Sequence, residues 1–199
     1  MPILAPTPPA AAIEMVNSTV RSFAEGAMFR TPALRAAQPD QLTINEPHPV
    51  FVLNLDDLRA GAGLTRARLI GWRYLVQEGD TAIATAELTI TAQSGVQVFS
   101  HFNEGPFVAS TAAAISMAKT DPQVSQRSYE QRLLHVPALY VMALWLHEES
   151  GAQDLLVPLG PFPFEVPVGE PLPAGELIAR LTEVAQRIPA EALDDPKGS

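Results

Sequence analysis

Residues 67–103 read ARLIGWRYLVQEGDTAIATAELTITAQSGVQVFSHFN, and the alternation within them decides the fold. Successive side chains of a strand leave opposite faces, so a half-buried strand alternates apolar and polar residues with period two. Ile70, Trp72, Tyr74 and Val76 share one face of a first strand, opposite Arg73, Leu75 and Gln77. In a second strand Ala82, Ala84, Ala86, Leu88, Ile90 and Ala92 alternate with Thr81, Ile83, Thr85, Glu87, Thr89 and Thr91. In a third, Val96, Val98, Ser100 and Phe102 alternate with Gln97, Phe99, His101 and Asn103.

Glu78-Gly79-Asp80 and Gln93-Ser94-Gly95 each carry the glycine that a hairpin turn favours, so the three strands read as an antiparallel meander. Three-residue loops bring apolar face onto apolar face. They pair Trp72 with Ala86, Arg73 with Thr85, Glu87 with His101, and Thr85 with Asn103. Arg73, Thr85, Glu87, His101 and Asn103 thereby gather on the less apolar face and form the candidate ligand-binding cluster. A glutamate opposite a histidine favours the imidazolium, and an arginine one diagonal away holds the glutamate ionised. Such a group suits a small anionic ligand or proton transfer. Opposite charges across strands also decorate ordinary solvated faces, where a pair contributes ~0.2–1 kcal/mol.

Outward from this unit, Ala10 to Glu25 carries Ile13, Val16, Val20 and Phe23 on one helical stripe. Pro32, Pro39, Pro47 and Pro49 predict an irregular connection with a short strand at Leu42 to Asn45, followed by a strand at Val50 to Leu55. Phe107 to Lys119 is a helix of small residues, expected to cross the Ala82, Ala84, Ala86 face between Trp72 and Phe102. Ser128 with Gln131 has the form of a capping box and predicts a short helix from Tyr129 to His135. Ala138 to His147 is read as a buried strand that forms a hairpin with Asp154 to Leu159. The prolines between Pro158 and Pro173 make an extended segment. Ala174 to Ile188 is an amphipathic helix, with Glu176–Arg180 and Glu183–Arg187 at i,i+4 on its exposed side.

The fold expected is α+β: an antiparallel sheet of about five or six strands, a small-residue helix packed on one face, and helices at both ends. Residues 1–190 make a single domain and 191–199 a mobile tail. With 199 residues, 47% hydrophobic and 18% charged, the chain is globular. A formal net charge of -9 opposes binding to nucleic acid. No apolar run reaches the ~20 residues of a membrane span, and no signal-peptide pattern begins the chain, so a soluble cytoplasmic protein is expected.

The absence of cysteine removes thiol chemistry and thiolate metal sites. His48, His101, His135 and His147 show no metal-ligand spacing, and neither a nucleotide-binding loop nor a nucleophile elbow occurs. No metal and no cofactor are expected. The sequence-level reading is a non-enzymatic binding or assembly protein whose partner is a second copy of itself, since the apolar residues of 138–159 exceed what one sheet covers. The alternative is a small-molecule-binding protein or acid/base enzyme using the polar cluster.

Overall fold

A computed structural model describes residues 3–4, 6–92, 94–149 and 151–189. The tail expected at 191–199 lies outside the described residues. Eight strands, β1 (Leu42–Val52), β2 (Arg68–Glu78), β3 (Thr81–Ile90), β4 (Gln97–Asn103), β5 (Glu130–Val136), β6 (Val141–His147), β7 (Leu155–Pro158) and β8 (Leu172–Pro173), form one sheet. Their order is β4-β3-β2-β1-β5-β6-β7-β8. All neighbours are antiparallel except β1 and β5, which run parallel at the centre. Among the described residues five helices accompany the sheet: α1 (Ala10–Glu25), α2 (Pro32–Ala36), α3 (Leu55–Arg59), α4 (Pro106–Thr120) and α5 (Ala174–Arg187). The α+β class stands, while the sheet is larger than expected and mixed rather than purely antiparallel.

Two local misreadings account for the difference. β1 continues through Pro47 and Pro49 because both precede Val50, where pairing with β5 begins. A missing N–H is tolerated where a strand is bonded on one side only. The chain also bulges at Glu46 and Pro47, with Glu46 in the left-handed region at φ 51°. The second misreading is the capping box. Gln131 does not fold back on a helix; its side chain donates to the Pro47 carbonyl at 3.1 Å from within β5. β5 is covered on both faces, so its sequence lacks the polar alternation that marks a half-buried strand.

The central meander keeps the expected faces between Ala84 and Leu88 but departs from the expected register twice, the second time at Ser100, where a bulge turns Phe99 onto the Phe102 face. Glu87 does sit opposite His101, and Thr85 opposite Asn103. Arg73, however, pairs with Glu87 and Trp72 with Leu88. A two-residue turn replaces the three-residue loop, since Glu78 pairs with Thr81, and Ile83 is an extra residue in the ladder. Together they shift the register by two and preserve parity. The bulge also turns Ala82 onto the opposite face from Ala84 and Ala86.

Three helical layers cover the sheet. On the Trp72, Tyr74, Val76, Ala84 and Ala86 face, α1 supplies Ala12, Val16 and Val20, and Phe29 and Leu34 complete the cluster. Along the same face, α3 and α5 cover the other half with Leu55, Leu58, Leu177 and Leu181 against Leu134, Ala143, Trp145 and Leu156. The small-residue helix α4 lies on the reverse face, not on the alanine face expected for it. Its Ala114, Ile115 and Ala118 pack on Leu75, Val50, Leu133, Leu144 and Leu146. The apolar platform that attracts α4 comes from β1, β5 and β6, whose register with β2 no local pattern encodes. Consequently the less apolar face of β2 and β3 is largely roofed over.

Candidate functional site

Under that roof the five expected site residues do come together, in a different environment from the open face expected. Arg73 and Thr85 are buried, and the Arg73 side chain is only 5% exposed. Its Nη2 is 2.8 Å from Glu87 Oε1, its Nη1 is 3.5 Å from Met142 Sδ, and its Nε has no hydrogen-bond partner. Asn103 Nδ2 donates to the same Glu87 oxygen at 2.6 Å and to His101 Nε2 at 2.9 Å. His101 stands at the rim, half exposed, 3.9 Å from Glu87. With Nε2 accepting, its Nδ1 carries the hydrogen toward Ser100 Oγ at 2.7 Å. The cluster is a buried ion pair with a polar rim. Beside it, Arg73, Thr85, Asn103, Glu104, Phe107, Val108 and Met142 line a partly open cavity of about 150 Å³.

Two further histidines lie near Arg73. His48 is opposite it in the ladder, fully buried, and donates from Nδ1 to the Glu46 carbonyl at 2.7 Å. Burial, then the Arg73 charge, pushes the His48 pKa down to about 3 against the opposing hydrogen bond. His135 is lowered by the same two causes, with Glu87 opposing. Both rings are neutral in the fold, whereas the unfolded chain takes up their protons below pH ~6.5. Stability contributed by these groups is therefore complete above pH 6.5 and is lost as pH falls below it, for His48 down to about 3. His48 contributes a slope of up to about 1.4 kcal/mol per pH unit. Urea unfolding between pH 6.5 and 5 should show this loss, and His48→Gln should flatten it by one such increment. An unchanged slope in His48→Gln contradicts the burial argument.

A larger cavity lies elsewhere, on the α5 side of the sheet. It holds about 450 Å³ and is walled by Phe51, Leu64, Trp145 and Ile178, with Arg132, His147 and Asp154 as its charged and titratable members. Strand pairing assembles it. Arg132 faces Trp145 across β5 and β6, and His147 follows Trp145 on the same face. The Arg132 guanidinium sits 5.1 Å from the Phe51 ring centre and 5.0 Å from that of Trp145, and those rings meet edge to face. Its Nε donates to Glu130 Oε1 at 2.7 Å. Neither terminal nitrogen has a hydrogen-bond partner among the described residues.

Asp154 anchors the opposite wall. Its side chain is 6% exposed, and it accepts from Trp145 Nε1 at 2.7 Å, His147 Nδ1 at 3.1 Å and the Glu148 amide at 2.8 Å. Because a carboxylate only accepts, His147 carries its hydrogen on Nδ1, and its Nε2 has no partner among the described residues. The site thus offers an arginine fork with both terminal nitrogens open, an oriented imidazole and apolar walls.

Sequence reading passed over this site. The capping-box pattern places Arg132 in a helix, and His147 enters the sequence reading only as a possible metal ligand. The usable signal was Trp145 and His147 two apart on a strand, with Asp154 just past a tight loop. Among the described residues no group of three or more His, Asp or Glu side chains converges to hold a metal ion, and no helix is long and apolar enough to cross a membrane. The chain matches no protein-family model, no curated protein and no solved structure, so its functional reading rests on the geometry of these two sites.

Proposed function

We propose that this chain is a non-enzymatic binding protein for a small organic anion with a planar, apolar body, taken up in the cavity at Arg132. The observation that carries this reading is an arginine whose guanidinium lies 5.1 and 5.0 Å from two aromatic ring centres, with both terminal nitrogens unpaired among the described residues, at a 450 Å³ cavity. A stacked guanidinium is pre-organised for a planar carboxylate, because its fork matches two oxygens and the stacking fixes its plane. The cavity volume is that of small-molecule sites, which combine apolar walls with a few convergent polar groups. Leu64, Ile178, Phe51 and Trp145 take the apolar body, and His147 Nε2 accepts from a hydroxyl if the ligand carries one.

This reading moves the ligand from the Arg73 cluster, where Glu87 already takes one arm of the arginine, to the arginine whose fork is open. Self-association has less to favour it. Val141, Ala143, Leu144, Trp145, Leu146, Leu156, Val157 and Leu159 are buried within one chain, and Tyr140 is the large apolar side chain of that segment left exposed among the described residues.

Calorimetric titration with 1-naphthoate and with its neutral counterpart 1-naphthamide tests the proposal. The carboxylate should bind one per chain and at least about tenfold more tightly, the value of one charge-assisted contact. Equal affinity for the two compounds removes the anion from the proposal; failure of both to bind removes the site.

A further inference from the structure

The 150 Å³ cavity under α4 is separate from the Arg132 site and is built differently. Its polar boundary consists of Arg73, Thr85, Asn103 and Glu104, and both oxygens of the one carboxylate, Glu104, already accept backbone amides. Arg73 is buried with its Nε unpartnered and one arm resting on a thioether, a weak acceptor. Thr85 is buried and lines the cavity. The first turn of α4 closes the cavity with Phe107 and Val108. α4 is 15 residues long, has no side-chain cap, and starts with Gly105 at the N-cap and Pro106 at the first position. The Phe107 amide therefore has no acceptor inside the helix, and the positive end of the helix dipole falls there.

The carboxylates nearby are committed elsewhere. Glu104 accepts from the Ala33 and Leu34 amides at 3.1 and 2.8 Å. Glu87 Oε1 takes both Arg73 Nη2 and Asn103 Nδ2. His48, opposite Arg73, is neutral across the physiological range. Burial lowers the Arg73 pKa more than Glu87 raises it, so one carboxylate does not fully offset the buried charge.

We propose that this cavity is an internal site for one small monovalent anion, of chloride or formate size, held between the Arg73 guanidinium, the Thr85 hydroxyl and the first turn of α4. A cation is disfavoured by the guanidinium and the helix end. A dianion is disfavoured by Glu87 and Glu104, and an organic acid of naphthoate size exceeds the volume. The anion locks α4 onto β2 and β3, so it acts on the stability of the fold.

The test compares melting temperatures in sodium chloride and in sodium gluconate at matched ionic strength, since gluconate is too large to enter. Chloride should raise the melting temperature by about 2–4 °C over gluconate and reach a plateau, as binding to a single site does. Thr85→Val should abolish that difference and Thr85→Ser should retain it. Each variant is its own control, because the difference between salts is read within one protein. Identical melting temperatures in the two salts at every concentration overturn the proposal, as does a full chloride increment in Thr85→Val. A bromide anomalous peak in contact with Arg73 in a crystal would place the ion, and its absence at saturating bromide would overturn the placement.

Discussion

Arg132→Met should weaken binding of 1-naphthoate by about 10–100-fold, with the melting temperature changed far less than by a core substitution. The argument is one of what the substitution keeps. Met retains an unbranched stem that can lie over Phe51 and Trp145, so much of the packing survives. It removes the two terminal nitrogens that are unpaired in the protein and available to a carboxylate. A hydrogen bond to a charged group contributes ~1.5–3 kcal/mol, which sets the range. Arg132→Lys should recover only part, since an ammonium neither stacks flat nor forms a fork. Binding of 1-naphthamide should be nearly indifferent to either change. If Arg132→Met binds the carboxylate like the wild type, the anion is held elsewhere.

Glu87→Leu should destabilise the protein by about 3–5 kcal/mol, far more than the fraction of a kilocalorie expected of an exposed cross-strand pair. The reason is the roof that α4 places over Arg73. With Glu87 gone, a guanidinium 5% exposed keeps its charge with no carboxylate beside it. The double variant Arg73→Met with Glu87→Leu should regain most of the loss, because a buried ion pair replaced whole by apolar groups costs little. Denaturant unfolding of the two single variants and the double gives the coupling directly. Simple additivity would mean that Arg73 and Glu87 do not depend on each other.

How much of this was legible follows from which interactions are local. The alternation from Ile70 to Asn103 gave three strands and the faces of their central residues, and it placed Thr85 by Asn103 and Glu87 by His101, while the bulge at Ser100 that turns Phe99 over left no mark in it. The bulge at Ile83 escaped, since one inserted residue and one shortened turn leave the apolar pattern unchanged. Helices α1 and α5 announced themselves by their stripes, and both cover the sheet. The parallel pairing of β1 with β5 was not legible, because it joins residues about 80 apart. That pairing decides the face on which α4 packs and so whether Arg73 is wet or buried. It also sets Phe51 beside Arg132 and Trp145. The Arg132 site is thus written in the contact of two segments that each looked ambiguous alone, one punctuated by prolines and one marked by a false capping box.

The chain has two tryptophans, and they lie in different parts of the fold: Trp145 walls the Arg132 cavity, and Trp72 is buried under α1 and α2. This makes the indole N–H region of a 15N–1H spectrum, recorded during addition of 1-naphthoate, the most direct measurement of the central claim. The Trp145 signal should move saturably with one ligand per chain, along with the Arg132 Nε–H, while Trp72 stays in place. A Trp145 signal that does not move, or one that moves no more than Trp72, would contradict the assignment of this cavity as the ligand site.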